Sequence, residues 1–272
     1  MIKLEVKRGE TVLMENTGIE LVNLSWQAAG YDREEAWNGE YEEGDVIVLT
    51  CDEAPCFLNI QLDDVMHPCM VYLREPVYTL AIPFGEKRVS YNPKTFTGNC
   101  HVLSARKASK EQVAAYKNLC LNEYDCHENT TCFPHAYANV ETRGESVFAA
   151  RNAINGNTDN RRHGPWPYES WGINRDPNAE ITIDFGREVK ADKIVLVTRA
   201  DFPHDNWWKQ AEFIFSDGTT MTVQMEKSVE PHVFTMEPKT ISWIKLGKLI
   251  KDENDPSPFP ALTQIEVYGT EA

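Results

Sequence analysis

The stretch "AEITIDFGREVKADKIVLVTR", residues 179–199, decides how the second half of the chain is read. Both ends carry runs rich in Ile, Val and Leu, separated by Asp, Gly and Lys, which predicts two strands, Ala179–Asp184 and Lys193–Thr198. The same pattern continues downstream. Gln210–Phe215, Thr219–Gln224, Val233–Thr235, Thr240–Leu246 and Thr263–Tyr268 all read as strands, and "SDGT" at 216–219 reads as a hairpin turn between two alternating runs.

Upstream the pattern repeats. The N-terminus, "MIKLEVKRGETVLMENTG", alternates apolar and polar residues and lacks the apolar region of a signal peptide, so it reads as a first strand. Further strands are expected at Glu20–Trp26, Asp45–Thr50, Phe57–Leu62, Cys69–Leu73, Tyr78–Ile82 and His101–Ala105. Ser109–Asn118 has a Ser N-cap and an early Glu, which predicts a helix. The polar, irregular segment after it reads as a linker, and no cysteine occurs beyond it. The expectation is an all-β chain: two β-sandwich (jelly-roll) domains, 1–106 and 135–272, joined by a short helix and linker over 107–134.

Composition narrows the function. The chain has 272 residues, 42% hydrophobic and 25% charged, as for a soluble globular protein of about two domains at roughly 100–200 residues each. A net charge of −15 argues against nucleic acid and against anionic membranes. No apolar run reaches the ~18–20 residues of a membrane helix. The seven cysteines are odd in number and come without a secretion signal, which favours reduced thiols and a cytoplasmic location. Homodimerisation through the N-terminal half is compatible with the pattern but not established by it.

Two loops concentrate polar and aromatic side chains: "HGPWPYESWG" at 163–172 and "RADFPHDNWW" at 199–208. A sugar offers apolar C–H faces and a rim of hydroxyls. An aromatic face covers the first, while Arg donors and Asp acceptors hold the second. Both loops have this mixture, which points to one carbohydrate site. Trp171, just before a strand, is expected to pack. Trp207 and Trp208 are adjacent, so one is expected inside and one outside. A bland reading of Arg199 pairs it with a neighbouring Asp. A sharper one gives Asp201, His204, Asp205 and Glu169 to acid–base chemistry in a glycoside hydrolase or polysaccharide lyase. A third makes the loops a non-catalytic protein-interaction module.

The linker's Cys120, Cys126, His127, Cys132 and His135 are zinc-type ligands, but they lack a tight Cys-x2-Cys pair, so incidental thiols are favoured. Trp26, Tyr31, Trp37 and Tyr41 lie among Glu34, Glu35, Glu42 and Glu43. They read as aromatics over a sandwich edge, with a second sugar platform or a domain interface as the alternatives. No phosphate-cradling glycine loop, nucleophile elbow or dinucleotide fingerprint occurs.

"VFAARNAINGNTDNRRHGPWPYESWG", the 179–199 stretch, "FSDGT" and "ALTQIEVYG" together resemble the discoidin, or coagulation-factor type C, domain family of galactose-binding-like sandwiches, over about residues 135–270. The resemblance implies an eight-stranded jelly roll with a ligand site in the loops at one end. Many such domains are carbohydrate-binding modules. It gives roles to His163 and Trp166, to Arg199 at a strand end, and to Phe259 before the last strand. Sugar-binding members have an asparagine where this chain has His204. With the flanking loop residues, the implied ligand set is His163, Trp166, Tyr168, Arg199, Asp201, His204, Asp205, Trp207 and Phe259. The resemblance also implies a structural Ca²⁺ at Asn152, Asn155, Asn157 and Gln264. The anionic ligands expected at 155 and 264 are amides here, so affinity should fall and no cofactor is required.

Overall fold

The computed structural model describes residues 1–27 and 38–272. Tyr31, Glu34, Glu35 and Trp37 lie outside the described residues.

The first half contains β1 (Ile2–Arg8), β2 (Thr11–Gly18), β3 (Leu21–Gln27), β4 (Asp45–Cys51), β5 (Cys56–Gln61), β6 (Cys69–Leu73), β7 (Val77–Ala81) and β8 (Cys100–Lys107). Next come α1 (Lys110–Ala114), β9 (Lys117–Asn118), β10 (Cys132–Phe133) and β11 (His135–Ala138). The second half adds β12 (Trp171–Gly172), β13 (Ile181–Thr198), β14 (Trp208–Phe215), β15 (Thr220–Gln224), β16 (His232–Lys251) and β17 (Ala261–Glu271).

The first sandwich sets the sheet β2-β1-β4-β7 against the sheet β10-β6-β5-β8-β3. Two-residue alternation builds its core. Tyr78 and Leu80 of β7 point inward while Val77, Thr79 and Ala81 point outward, and Val22 and Leu24 do the same in β3. On β8 the inward positions are His101, Leu103 and Ala105, so one core position holds a histidine. The N-terminus is a hairpin and not the single strand expected. Arg8 pairs with Thr11 across a turn in which Gly9 takes a φ of 58°.

In the second sandwich, β13 runs unbroken from Ile181 to Thr198, where the sequence suggested two strands. Its first part pairs with Trp243–Leu246 of β16 and with β11. Its second part pairs with β17 and with His232–Ile241 of β16. Register shifts after Asp184 and Ala191 mark bulges that bend it. Likewise, the strands expected at 233–235 and 240–246 are one strand, β16. Its inward residues join those of β13 in one core with Trp171, Phe185, Trp208, Phe213 and Phe215. The "SDGT" turn is as expected, with Gly218 at a φ of 82°.

The expected helix is shorter than predicted. Ser109 caps it reciprocally with Gln112, but α1 ends at Ala114 and Lys117–Asn118 pair with β17. The segment that follows is largely buried. Leu119 and Cys120 join the second core, whereas Tyr124 and Cys132 join the first. The buried Asp125 accepts bonds from the Ala136 amide, Asn129 and His135. The five zinc-type residues are therefore dispersed: His127 binds Glu141, His135 binds Asp125, and Cys120 and Cys132 lie in different cores. All seven cysteines are free thiols. Burial pushes the Cys126 thiol up to about 11 and the Cys69 thiol up to about 12, far from reactive thiolates.

Candidate ligand-binding site

A cleft of about 200 Å³ opens where β13 ends. Arg199 follows the last residue of β13, and its amide donates to the Ala261 carbonyl at the start of β17, 3.0 Å away. Its Nε donates to Asp205 at 2.8 Å, and its Nη2 lies 2.7 Å from the same carboxylate oxygen. Asp205 is fully buried. It also accepts from the Asp201 amide at 2.9 Å and lies 3.0 Å from His204 Nδ1. The pairing of Arg199 with a neighbouring Asp is thus real, but it fixes the arginine in place without removing it from the cleft. Nη1 has no partner among the described residues, and Arg199 lines the cleft wall.

The two loops converge through their histidines. The His163 and His204 rings stack at 3.8 Å with 8° between their planes, and Phe259 continues the stack 5.4 Å from His204. Asp201 holds His163 at 2.6 Å from Nδ1. Ser257 donates to the His204 carbonyl, tying the loop before β17 to the loop after β13.

The opposite wall was not visible in the sequence. It consists of Thr142, Arg143, Phe148 and the run Gly172–Arg175. Arg143, Asn174 and Arg175 all take left-handed φ values, of 55°, 49° and 61°. Such conformations cost about 1–3 kcal/mol each and cluster where function requires a particular side-chain direction. Gly172 is required by close approach: a Cβ there would stand 2.6 Å from Thr142 Oγ1 and 3.0 Å from the Phe148 side chain. The Arg175 guanidinium lies 5.3 Å over the Phe259 ring, and that of Arg199 lies 5.9 Å over Phe148. Among the described residues, the cleft lining contains three arginines, two histidines and two phenylalanines but no carboxylate.

The remaining candidates lie elsewhere. Trp166 is 36% exposed but does not line the cleft; its amide donates to Val89 of the first sandwich. Tyr168 sits under Arg162 at 5.7 Å. Trp208 is buried and Trp207 half-buried, and Trp171 is a core residue whose Nε1 donates to Val140. Glu169 is 2% exposed and accepts from Asn155 at 2.8 Å and Asn157 at 3.1 Å. Burial pushes its carboxyl above the ordinary glutamate range, a shift partly offset by the Asn157 and Asn155 bonds. It faces the asparagine turn and not the cleft. With Asp205 saturated by Arg199, His204 and the Asp201 amide, the carboxylates considered for glycoside cleavage do not stand across one substrate.

The donor sets also decide about metals. Around the asparagine turn, Gln264 Nε2 donates to the Asn152 carbonyl at 2.5 Å, the Asn155 side chain at 2.8 Å and the Thr263 carbonyl at 2.9 Å. Gln264 Oε1 accepts from the Gly156 amide at 3.0 Å. The oxygens that would face a Ca²⁺ are already engaged by an amide nitrogen, and this set does not fit the ion. His163, Asp201 and His204 bring ligand atoms within 4.8 Å of one another. A bound ion lies in the plane of each imidazole, however, and two parallel rings 3.8 Å apart share no such plane.

No protein-family model matches the chain, and no curated protein matches it. Among solved structures it is similar to a chitosan-binding module of a chitosanase/glucanase from Paenibacillus sp. IK-5, with 17% identity and a TM-score of 0.40 over 56% of this chain and 99% of that one. It is also similar to the family 32 carbohydrate-binding module of NanJ from C. perfringens in complex with galactose, with 18% identity and a TM-score of 0.37 over 49% and 91%. The lectin domain of lectinolysin with Lewis b antigen gives 16% identity and a TM-score of 0.41 over 57% and 97%. At these values the functional reading rests on the cleft itself.

Proposed function

We propose that the second sandwich is a discoidin-type domain that binds a carbohydrate in this cleft, and that the preferred glycan carries an acidic group. The observation behind the proposal is the lining. Phe148 and Phe259 offer apolar surface to sugar C–H groups. Arg175, Arg199 Nη1 and the imidazoles offer donors, with Asp205 buried behind Arg199 and Asp201 beside His163; Arg143 lines the cleft while its guanidinium is paired with Glu145. In a chain of net charge −15, a cleft lined by cations and without carboxylates complements hydroxyls together with a carboxylate or sulfate. His204, stacked between His163 and Phe259, stands where sugar-binding members of the resembled family have an asparagine, and it widens the aromatic wall.

Arg175 is the residue to test, because it is exposed and no ion pair holds it among the described residues. Arg175→Ala is expected to weaken binding of an acidic glycan about tenfold or more, with an unchanged melting temperature. A glycan array containing neutral, uronic and sulfated sugars provides the ligands. Absence of binding across that array would refute the carbohydrate reading. Equal affinity for neutral and acidic glycans would refute only the acidic preference.

A further inference from the structure

The first sandwich contains a buried polar cluster that the sugar cleft does not use. It lies where the β5–β6 connection meets β8. His101 occupies an inward position of β8 and is 1% exposed. Its ring packs between Trp26, at 5.1 Å, and Tyr41, at 4.7 Å. Nε2 lies 2.9 Å from the Gly98 carbonyl, an acceptor, so Nε2 carries the proton and Nδ1 presents a lone pair. That lone pair has no hydrogen-bond partner among the described residues. It faces two carboxylates instead, with Asp63 Oδ2 at 3.9 Å and Asp64 Oδ1 at 3.6 Å.

A lone pair directed at two carboxylates is repulsive unless something positive lies between them. A proton on Nδ1 would be too far from either oxygen to make a normal hydrogen bond. The distances suit a metal ion better. Two ligands each about 2.1 Å from a tetrahedral ion stand about 3.4 Å apart. The supporting contacts are in place. The imidazole is oriented by a backbone carbonyl, as metal-bound histidines usually are. Asp63 is 1% exposed and held by the Val65 amide at 2.9 Å and the Phe96 amide at 2.8 Å, while Asp64 is 46% exposed and leaves the site open to solvent.

We propose that His101 Nδ1, Asp63 and Asp64 form a site for one divalent transition-metal ion of zinc type, with solvent completing the coordination. One imidazole and two carboxylates suit zinc better than calcium, which takes oxygen ligands. The bound ion ties the β5–β6 connection to β8 and removes the lone-pair repulsion.

The test uses the full chain stripped of metal with a chelator. Zn²⁺ is titrated by calorimetry and Co²⁺ by visible spectroscopy. One equivalent is expected to bind and to raise the melting temperature, with a Co²⁺ spectrum lacking thiolate charge transfer. Asp64→Asn is expected to weaken binding about tenfold or more while melting like the metal-free wild type. His101→Gln should do the same, and if it fails to fold, Asp64→Asn and Asp64→Ala carry the test. A His163→Ala/His204→Ala variant should retain the full response. A thiolate band in the spectrum, wild-type affinity in Asp64→Asn, loss of binding in the double histidine variant, or no stoichiometric binding by the wild type would each overturn the assignment.

Discussion

Arg199 joins recognition to stability. Its guanidinium lines the cleft, yet it is 4% exposed and neutralises a fully buried Asp205. Removing one partner of a buried pair leaves an unpaired charge and costs about 3–5 kcal/mol. Arg199→Ala is therefore expected to lower the melting temperature as well as glycan affinity, whereas Arg175→Ala lowers affinity alone. Calorimetric melting of both variants beside binding measurements checks this; unchanged melting of Arg199→Ala would show that the pair contributes nothing to folding. Glu169 has the opposite character. Its Oε2 is buried without a hydrogen-bond partner among the described residues, and desolvation raises its folded-state value. The folded state then holds a proton more tightly than the unfolded chain, so ionising Glu169 destabilises the fold. That penalty is fully present above the raised value and vanishes below the ordinary glutamate value of about 4.3. Glu169→Gln is expected to melt higher than wild type at neutral pH, with the gap closing as the pH is lowered through that window. Equal melting at neutral pH would rule the penalty out.

At the scale of elements, the asparagine turn and β17 are joined by Gln264, whose amide nitrogen sits among the oxygens of Asn152, Asn155 and Thr263. Gln264→Glu would set a carboxylate against those oxygens. In chelator the variant is expected to melt below metal-free wild type and to recover on adding CaCl₂, while metal-free wild type does not respond to CaCl₂. A calcium-dependent melting temperature in wild type would contradict the fit described above. The same elements show what the sequence could reveal. Strand positions were legible because two-residue alternation and turn residues mark them locally. The unity of β13 was not, because "FGREVKAD" reads as a break when it is in fact a bulged stretch of one strand. His163, Arg199 and His204 were legible as members of two loops that mix aromatic and ionic residues, whereas Phe259 came only from the resemblance to the discoidin family. Arg143, Phe148, Asn174 and Arg175 were not legible. They reach the cleft from two separate segments, and left-handed non-glycine residues leave no pattern in composition or spacing. His101 was missed because one histidine in an apolar alternation looks like an ordinary strand residue.

At the scale of the whole molecule, the two sandwiches are held together by a seam of arginines on aromatics. Arg151 lies 4.3 Å over Tyr91 and donates to the Asp125 and Glu123 carbonyls, each at 2.8 Å. Arg187 lies 4.9 Å over Phe57 and 5.3 Å over Tyr72, and is paired with Glu271. Phe133 of β10, in the first sandwich, packs directly on Gly186, inside the bend of β13 in the second. A Cβ at Gly186 would stand 2.3 Å from the Phe133 ring, and its φ of 69° disfavours any side chain. This close approach couples the halves, so urea unfolding is expected to give one transition by both tryptophan fluorescence and far-UV circular dichroism. Gly186→Ala should destabilise that transition by about 1–3 kcal/mol through overpacking and strain. The cost has two parts that a double-mutant cycle separates. The backbone part stays whatever faces the glycine, whereas the packing part needs the Phe133 ring. Gly186→Ala should therefore cost less in a Phe133→Ala background than in wild type. Strict additivity of the two changes would mean that the ring does not bear on the bend and that the seam is held by its arginines alone.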